Sequence, residues 1–313
     1  MGVEDLTKVR FTTNAVWETA ASLHALANPR HHLLHQRLRR LVPKRPDFDL
    51  ELLLTLAGHP SWLPDVWAPA PELRPGPPLD QLDDVRRTDP AVAEADLERL
   101  QLGIGPRDYL DRTADALQGW WTAVLEPLWD RVDAIARADI AHHQTTLAAQ
   151  GLAATMPELN RGLSVAGDRL RVDLDEELSL RSCGQGIWFV PSVFRWPWVA
   201  VDVRESVPPV VSYGARGAGR VWQRGGRAAS PPGLPDLLGR SRALILDSLD
   251  VPTSTTALAQ SLGLSLSTVS EHLSVLASAG LLESRRAGQR VLYWRTMVGD
   301  LLVDGESSAV RLG

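Results

Sequence analysis

The stretch from Thr253 to Arg295, TSTTALAQSLGLSLSTVSEHLSVLASAGLLESRRAGQRVLYWR, constrains this chain more than any other, because helical and strand patterns follow one another there with sharp punctuation. A first helix is expected over about Thr255 to Ser261, and Gly263 supplies the backbone freedom of a tight inter-helix turn. Ser265 is placed as the N-cap of a second helix, its hydroxyl set to accept from the amide of Ser267 or Thr268. Val269, Leu273 and Leu276 recur at i, i+4 and i+7, which predicts one buried stripe. The opposite face carries Ser267, Ser270, Glu271 and Ser274. Gly280 terminates the helix as its C′ residue. A hairpin then follows, with strands Leu281-Leu282 and Val291 to Trp294 around the tip Arg285-Arg286-Ala287-Gly288-Gln289-Arg290. Helix, turn, helix and hairpin in that order predict a winged helix-turn-helix.

Such a surface suits double-stranded DNA. Short Ser and Thr side chains let a helix lie close in the major groove, where Ser265, Ser267, Thr268, Ser270 and Ser274 can meet phosphates or base edges. Glu271 can accept from a cytosine amino group, and Arg285, Arg286 and Arg290, with Gln289, reach phosphates or the minor groove. His272 lies nearer the helix flank, where bonding a phosphate and supporting the core are equal readings. A polar helix face or three arginines at a turn is often only a solvated surface; the order of all the parts favours DNA.

The run TVSEHLSVLASAGLLESRRAGQRVLYWR resembles the arsenical-resistance repressor (ArsR) family of bacterial winged-helix regulators, whose recognition helix has the form S-x-H-L-x-x-L-x-x-A-G-L. Those positions are Ser270, His272, Leu273, Leu276, Ala279, Gly280 and Leu281 here. The resemblance spans roughly Leu234 to Leu302. It implies a homodimer on an inverted-repeat operator, with the helix from Ser265 to Ser278 in the major groove and a helix from Leu237 to Leu249 contributing to dimerisation. Metal-sensing members carry a Cys-x-Cys pair or carboxylate and His ligands in this domain. The first helix here reads Thr256-Ala257-Leu258-Ala259-Gln260, and no His or Cys follows Met297. No metal site and no cofactor are therefore expected, and a signal would enter elsewhere.

The rest of the chain is expected to sense or dock. No apolar run approaches a membrane span, and the start MGVEDLTKVRF lacks a signal-peptide core, so a cytoplasmic protein is expected. Cys183 is the sole cysteine, which rules out an intrachain disulfide. A net charge of −5 argues against a chain that coats nucleic acid along its whole surface. From Gly239 to Met297, however, six arginines face four acids, a local net of +2.

Residues 1–160 read as a helical regulatory region with proline-rich interruptions. Helices are expected at Asn14 to Leu26, His31 to Leu41 and Pro90 to Leu102, and a long helical region from Tyr109 to His143 with a kink at Pro127. His31, His32 and His35 lack a completing ligand nearby and read as a surface helix. Trp62 and Trp67 in the proline-rich stretch from Gly58 to Pro78 imply an ordered loop over the helical core. Residues 161–232 read as a small antiparallel sheet and linker packed on the helices, and 233–313 as the winged helix. Trp188, Phe194, Trp196 and Trp198 are either core residues or the wall of a cavity for a small apolar effector.

PSVFRWP with SYGARG, SWLPDVWAPAP and EPLWDRVDAI resemble an uncharacterised group of actinobacterial ArsR-type regulators with a long N-terminal domain, which implies a regulatory module there. The fold class expected is α+β, mainly helical. The function expected is a dimeric, effector-modulated transcriptional repressor. Two alternatives remain, a protein-docking module and an enzyme fused to a winged helix. No nucleophile elbow, phosphate loop, dinucleotide fingerprint or metal-ligand set supports an enzyme.

Overall fold

Strand β1 (Val9–Phe11) leads into helix α1 (Ala15–Ala27), whose start is fixed by Asn14, with Oδ1 accepting the Trp17 amide at 3.0 Å. Every residue from Ala15 to Ala25 is buried, Glu18, Thr19, Ser22 and His24 included. A 3₁₀ turn at Leu33–His35 and the short α2 (Leu38–Leu41) follow, then α3 (Leu50–Ala57), started by Asp49 accepting from the Leu52 amide. The surface helix expected from His31 to Leu41 is thus broken, and His32 and His35 are only 1% exposed. Burial leaves their polar atoms to find partners inside: His24 Nδ1 and His32 Nε2 lie 3.0 Å apart.

The proline-rich stretch carries a 3₁₀ turn at Asp65–Trp67, with Val66 and Trp67 buried. Helices α4 (Pro78–Asp83), α5 (Pro90–Leu100), α6 (Pro106–Trp120), α7 (Trp129–Gln150) and α8 (Leu152–Leu159) complete the helical layer. Asp96 of α5 holds the 3₁₀ turn by accepting from the amides of Asp65 and Val66. Between α6 and α7 the chain passes through a π turn, Trp121–Leu125, and a 3₁₀ turn, Glu126–Leu128. Pro127 accounts for that break, since it has no N–H to donate and its ring crowds the preceding turn.

The strands are β2 (Leu163–Ala166), β3 (Arg169–Val172), β4 (Ile187–Ser192), β5 (Val199–Asp202) and β6 (Val210–Gly214). β2 and β3 pair antiparallel, as do β5 and β6. The main sheet, in order β1-β4-β6-β5, is nevertheless mixed, because β1 and β6 both run parallel to β4. β5 pairs with β6 rather than with β4, so the meander that sequence proximity suggests does not form. All six β4 residues are buried, which is how a central parallel strand reads in sequence. Pro191 is tolerated there for a geometric reason. Odd-numbered β4 residues bond towards β1, as in Ile187 N to Lys8 O and Thr12 N to Phe189 O, and β1 has ended before Pro191 needs a partner.

A second set of elements follows: α9 (Leu234–Leu238), α10 (Arg240–Ser248), β7 (Thr253–Ser254), α11 (Thr255–Leu262), α12 (Leu266–Ser278), β8 (Leu282–Ala287), β9 (Arg290–Arg295) and α13 (Met297–Asp304). The structure, a computed structural model, describes residues 8–29, 31–59, 62–73, 75–166, 169–172, 186–195, 198–204, 208–222, 233–249, 252–287 and 290–304. The chain divides into two compact units, Met1–Val221 and Trp222–Gly313. The architecture is α+β and mainly helical. Among the described residues no helix is long and apolar enough to cross a membrane.

Gly186, just before β4, has φ +85°, and a Cβ there would collide with the Lys8 carbonyl just before β1. Gly186→Ala is expected to lower unfolding free energy by about 2 kcal/mol, read from the urea midpoint; an unchanged midpoint would contradict the β1–β4 pairing.

Burial, reinforced by His24, Arg195, His35 and His31, holds His32 down to about 2, and burial takes His35 down to about 3. The unfolded chain therefore binds protons near pH 6.5 that the folded chain refuses, and this stability is lost as pH falls below that value. Glu18, pushed up to about 7 by burial against bonds from Ser192, Phe194 and Val193, and Asp96, pushed up to about 6 mainly by burial, titrate in the opposite sense. The histidine contribution is isolated by difference. Relative to a His32→Gln variant, the parent chain should lose on the order of 1 kcal/mol per pH unit between pH 6.5 and 4.5. Parallel stability curves for the two proteins would rule this out.

Candidate nucleic-acid interface

The second unit is held together by an apolar cluster in which Ile245 and Leu246 of α10 meet Leu258 of α11, Val269, Leu273 and Leu276 of α12, and Leu281 and Leu282 at the start of β8. The stripe expected on α12 is at most 1% exposed. Gly263 closes α11 at φ +66°, and the Leu264 amide reaches back to the Ala259 carbonyl at 3.1 Å. Two residues later Ser265 opens α12, its Oγ accepting the Thr268 amide at 3.1 Å and lying 2.8 Å from the hydroxyls of both Ser267 and Thr268. Gly280, at φ +71°, ends α12, and the Leu281 amide bonds the Leu276 carbonyl.

With its stripe buried, α12 turns Ser267, Ser270, Glu271 and Ser274 to solvent, while Thr268 and His272 are half-buried at the flanks. The hydroxyls are not equivalent. That of Ser265 is engaged as the cap, and that of Ser274 donates to the Ser270 carbonyl. Ser267, Ser270 and Glu271 are the exposed polar positions nearest the start of the helix.

The hairpin is longer than its sequence suggests. β8 and β9 pair from Leu282↔Arg295 to Ala287↔Arg290, so Arg285 and Arg286 sit within a strand, opposite Leu292 and Val291, and not at the tip. The reason is that residues Glu283 to Arg286 are all exposed, and a strand wetted on both faces has no alternation to betray it. Consecutive strand residues point to opposite faces, so the two exposed guanidinium groups leave the hairpin on different sides. Arg290 opens β9; Gln289 lies outside the described residues.

Three features of this unit have no counterpart in the sequence reading. β7 adds a third strand by pairing Thr253 with Tyr293 and Ser254 with Leu292, and Ser254 also caps α11 through the Ala257 amide. Helix α13 follows β9. Arg295, counted among the local basic groups, is 5% exposed and donates from Nη1 to the Leu246 and Asp247 carbonyls at the C-terminal end of α10. It is a helix cap, so it adds no charge to the outer surface. Only the TS dipeptide ahead of the first helix, a common N-cap, hinted at any of this.

In the first unit, the aromatic residues expected to line an effector cavity have separate neighbours. Trp188 packs with Trp17, Val190, Val210 and Ala68. Phe194, wholly buried, meets the His35 ring edge-on, and Trp198, half exposed, donates its indole N–H to the His31 carbonyl at 2.9 Å. Trp196 lies outside the described residues.

The chain matches a helix-turn-helix domain family over residues 237–285. The C-terminal unit carries a helix-turn-helix domain. Residues 108–219, which lie in the first unit, match a family of unknown function, DUF5937. No curated protein and no solved structure matches the chain.

The Ser265 cap sets where the exposed face begins. Ser265→Ala is expected to cost the second unit about 1 kcal/mol, measured by thermal unfolding with Trp294 and far-UV circular dichroism as probes; an unaltered transition would remove the cap from the account.

Proposed function

We propose that this chain is a DNA-binding transcriptional regulator that acts by binding, with α12 as its reading head and the β8–β9 hairpin as its wing. The observation that carries the reading is the division of labour on α12. One face is sealed into the core by Val269, Leu273 and Leu276, and the exposed polar positions of the other are the short hydroxyls of Ser267, Ser270 and Ser274 and the carboxylate of Glu271, with Leu266 and Val275 as exposed apolar neighbours. A helix so trimmed can approach base edges without a long side chain holding it off, and Glu271 selects for a cytosine amino group. Arg285 and Arg286, exposed on opposite sides of β8, are suited to phosphates flanking the groove.

In this reading two chains bind an inverted repeat as a homodimer, each placing one α12 in the major groove, and the bound dimer represses transcription. The first unit, with its own family match, is a separable module that modulates binding. Support for regulation rather than nonspecific coating comes from the chain's net charge of −5, which leaves the affinity to a local basic surface.

Three arginines per chain, Arg285, Arg286 and Arg290, give about six neutralised phosphates in a dimer. The log of affinity should then fall with log salt at a slope of about −5, and in an Arg285→Ala, Arg286→Ala variant at about −2. Fluorescence anisotropy titrations on a labelled duplex measure both slopes. A slope near zero, or one that the double variant leaves unchanged, would overturn the assignment of the wing.

A further inference from the structure

The helical hairpin of α7 and α8 in the first unit gathers donors that the DNA-binding reading does not use, among them Glu158, whose Oε2 also accepts from the Thr146 hydroxyl of α7 at 3.4 Å. Gly151, at φ +79°, reverses the chain between the two helices, and its amide still closes α7 on the Leu147 carbonyl. His142 and His143 lie eight to nine residues before that corner and Glu158 lies seven after it. At helical rise all three come level, about 12 Å from the corner. One ligand atom from each of His142, His143 and Glu158 lies within 4.8 Å of the other two. His142 Nε2 and Glu158 Oε2 are 3.4 Å apart. That matches the edge of a tetrahedron of ligands about 2.0–2.1 Å from a central zinc-like ion, roughly 3.3 Å.

His143 supplies the second, independent observation. Its side chain is 0% exposed, yet neither ring nitrogen has a hydrogen-bond partner. Asp139, one turn earlier on α7, places Oδ1 3.3 Å from His143 Nε2, without the geometry of a hydrogen bond. Asp139 is itself fixed from the sheet side, accepting from the Tyr213 hydroxyl at 2.6 Å and from the Arg216 amide at 2.8 Å. A buried imidazole with open nitrogens, backed by an anchored carboxylate, is the arrangement that orients a histidine for a metal. The other two donors are about two-fifths exposed, which leaves solvent access for a water to complete the coordination.

We propose that the first unit binds one divalent transition-metal ion of the zinc class through His142, His143 and Glu158, with Asp139 as the positioning residue behind His143. Two imidazoles and one carboxylate suit a borderline ion such as Zn²⁺ or Co²⁺, and too few oxygens converge for Ca²⁺ or Mg²⁺. The ion staples α8 to α7. All of the ligands lie in the unit that does not contain the helix-turn-helix, so the proposal stands or falls apart from the DNA-binding reading.

The test uses the full chain stripped with a chelator. Zn²⁺ is titrated in competition with a chromogenic chelator, and Co²⁺ binding is followed by its visible d–d absorption. The expected result is one ion per chain, with affinity falling at least about tenfold in His142→Ala and again in Glu158→Gln, and the Co²⁺ band lost in the double variant. Both substitutions are at exposed positions, so folding is preserved, and far-UV circular dichroism verifies it. Absence of stoichiometric binding in the parent chain, or binding that the double variant leaves unaltered, would overturn the site.

Discussion

Helix α1 has no face to water from Ala15 to Ala25, and the first unit is arranged around that fact. A polar group carried into such a place must be satisfied by a specific neighbour, because leaving it bare costs about 1–3 kcal/mol. Thr19 is satisfied within α1, by the Ala15 carbonyl, and the other buried polar residues each nominate a contact outside it. Glu18 Oε1 accepts the Phe194 amide just after β4, Ser22 accepts the Trp120 indole N–H at the end of α6, and His24 meets His32. Strand, long helix and loop are tied to one pillar by bonds that would be lost together if α1 were displaced. Arg195, buried beside Glu18, is held down to about 10 by its desolvation against the pull of that carboxylate.

The second unit works by the opposite economy. Its core is almost wholly apolar, and its polar groups are used at helix ends and on the surface. Ser254 and Ser265 start α11 and α12, Gly263 and Gly280 end them, and Arg295 closes α10 from inside. Rigid ends on both helices fix the angle at which the outer face of α12 is presented. That rigidity makes a small polar face a candidate for reading a groove: short side chains have little reach, so the helix itself must be in place.

What could be read from sequence follows from which patterns are local. The α12 stripe, its Ser265 cap and its Gly280 stop are decided by neighbours within one or two turns, and the structure has each where the spacing puts it. The mixed sheet was not legible, since pairing of β1 with β4 joins residues far apart in the chain and leaves no mark on either strand. Nor was the burial of His32 and His35, because the histidines look polar until α1 and Phe194 close over them. The wing's arginines were found by composition but misplaced by position, for want of a buried face on β8. The grouping of His142 and His143 with Glu158 depends on the reversal at Gly151, and a sequence scan for ligand spacing does not register a helical hairpin.

Whether α12 reads duplex DNA is tested most directly by selection of bound duplexes from a random library by the purified full chain. Enrichment of one motif with two-fold symmetry, weakened when Glu271 and Ser270 are both replaced by alanine, is the predicted result. A pool that stays random at low salt, where phosphate contacts alone are strongest, would contradict the claim and leave the helix-turn-helix as a protein-docking fold.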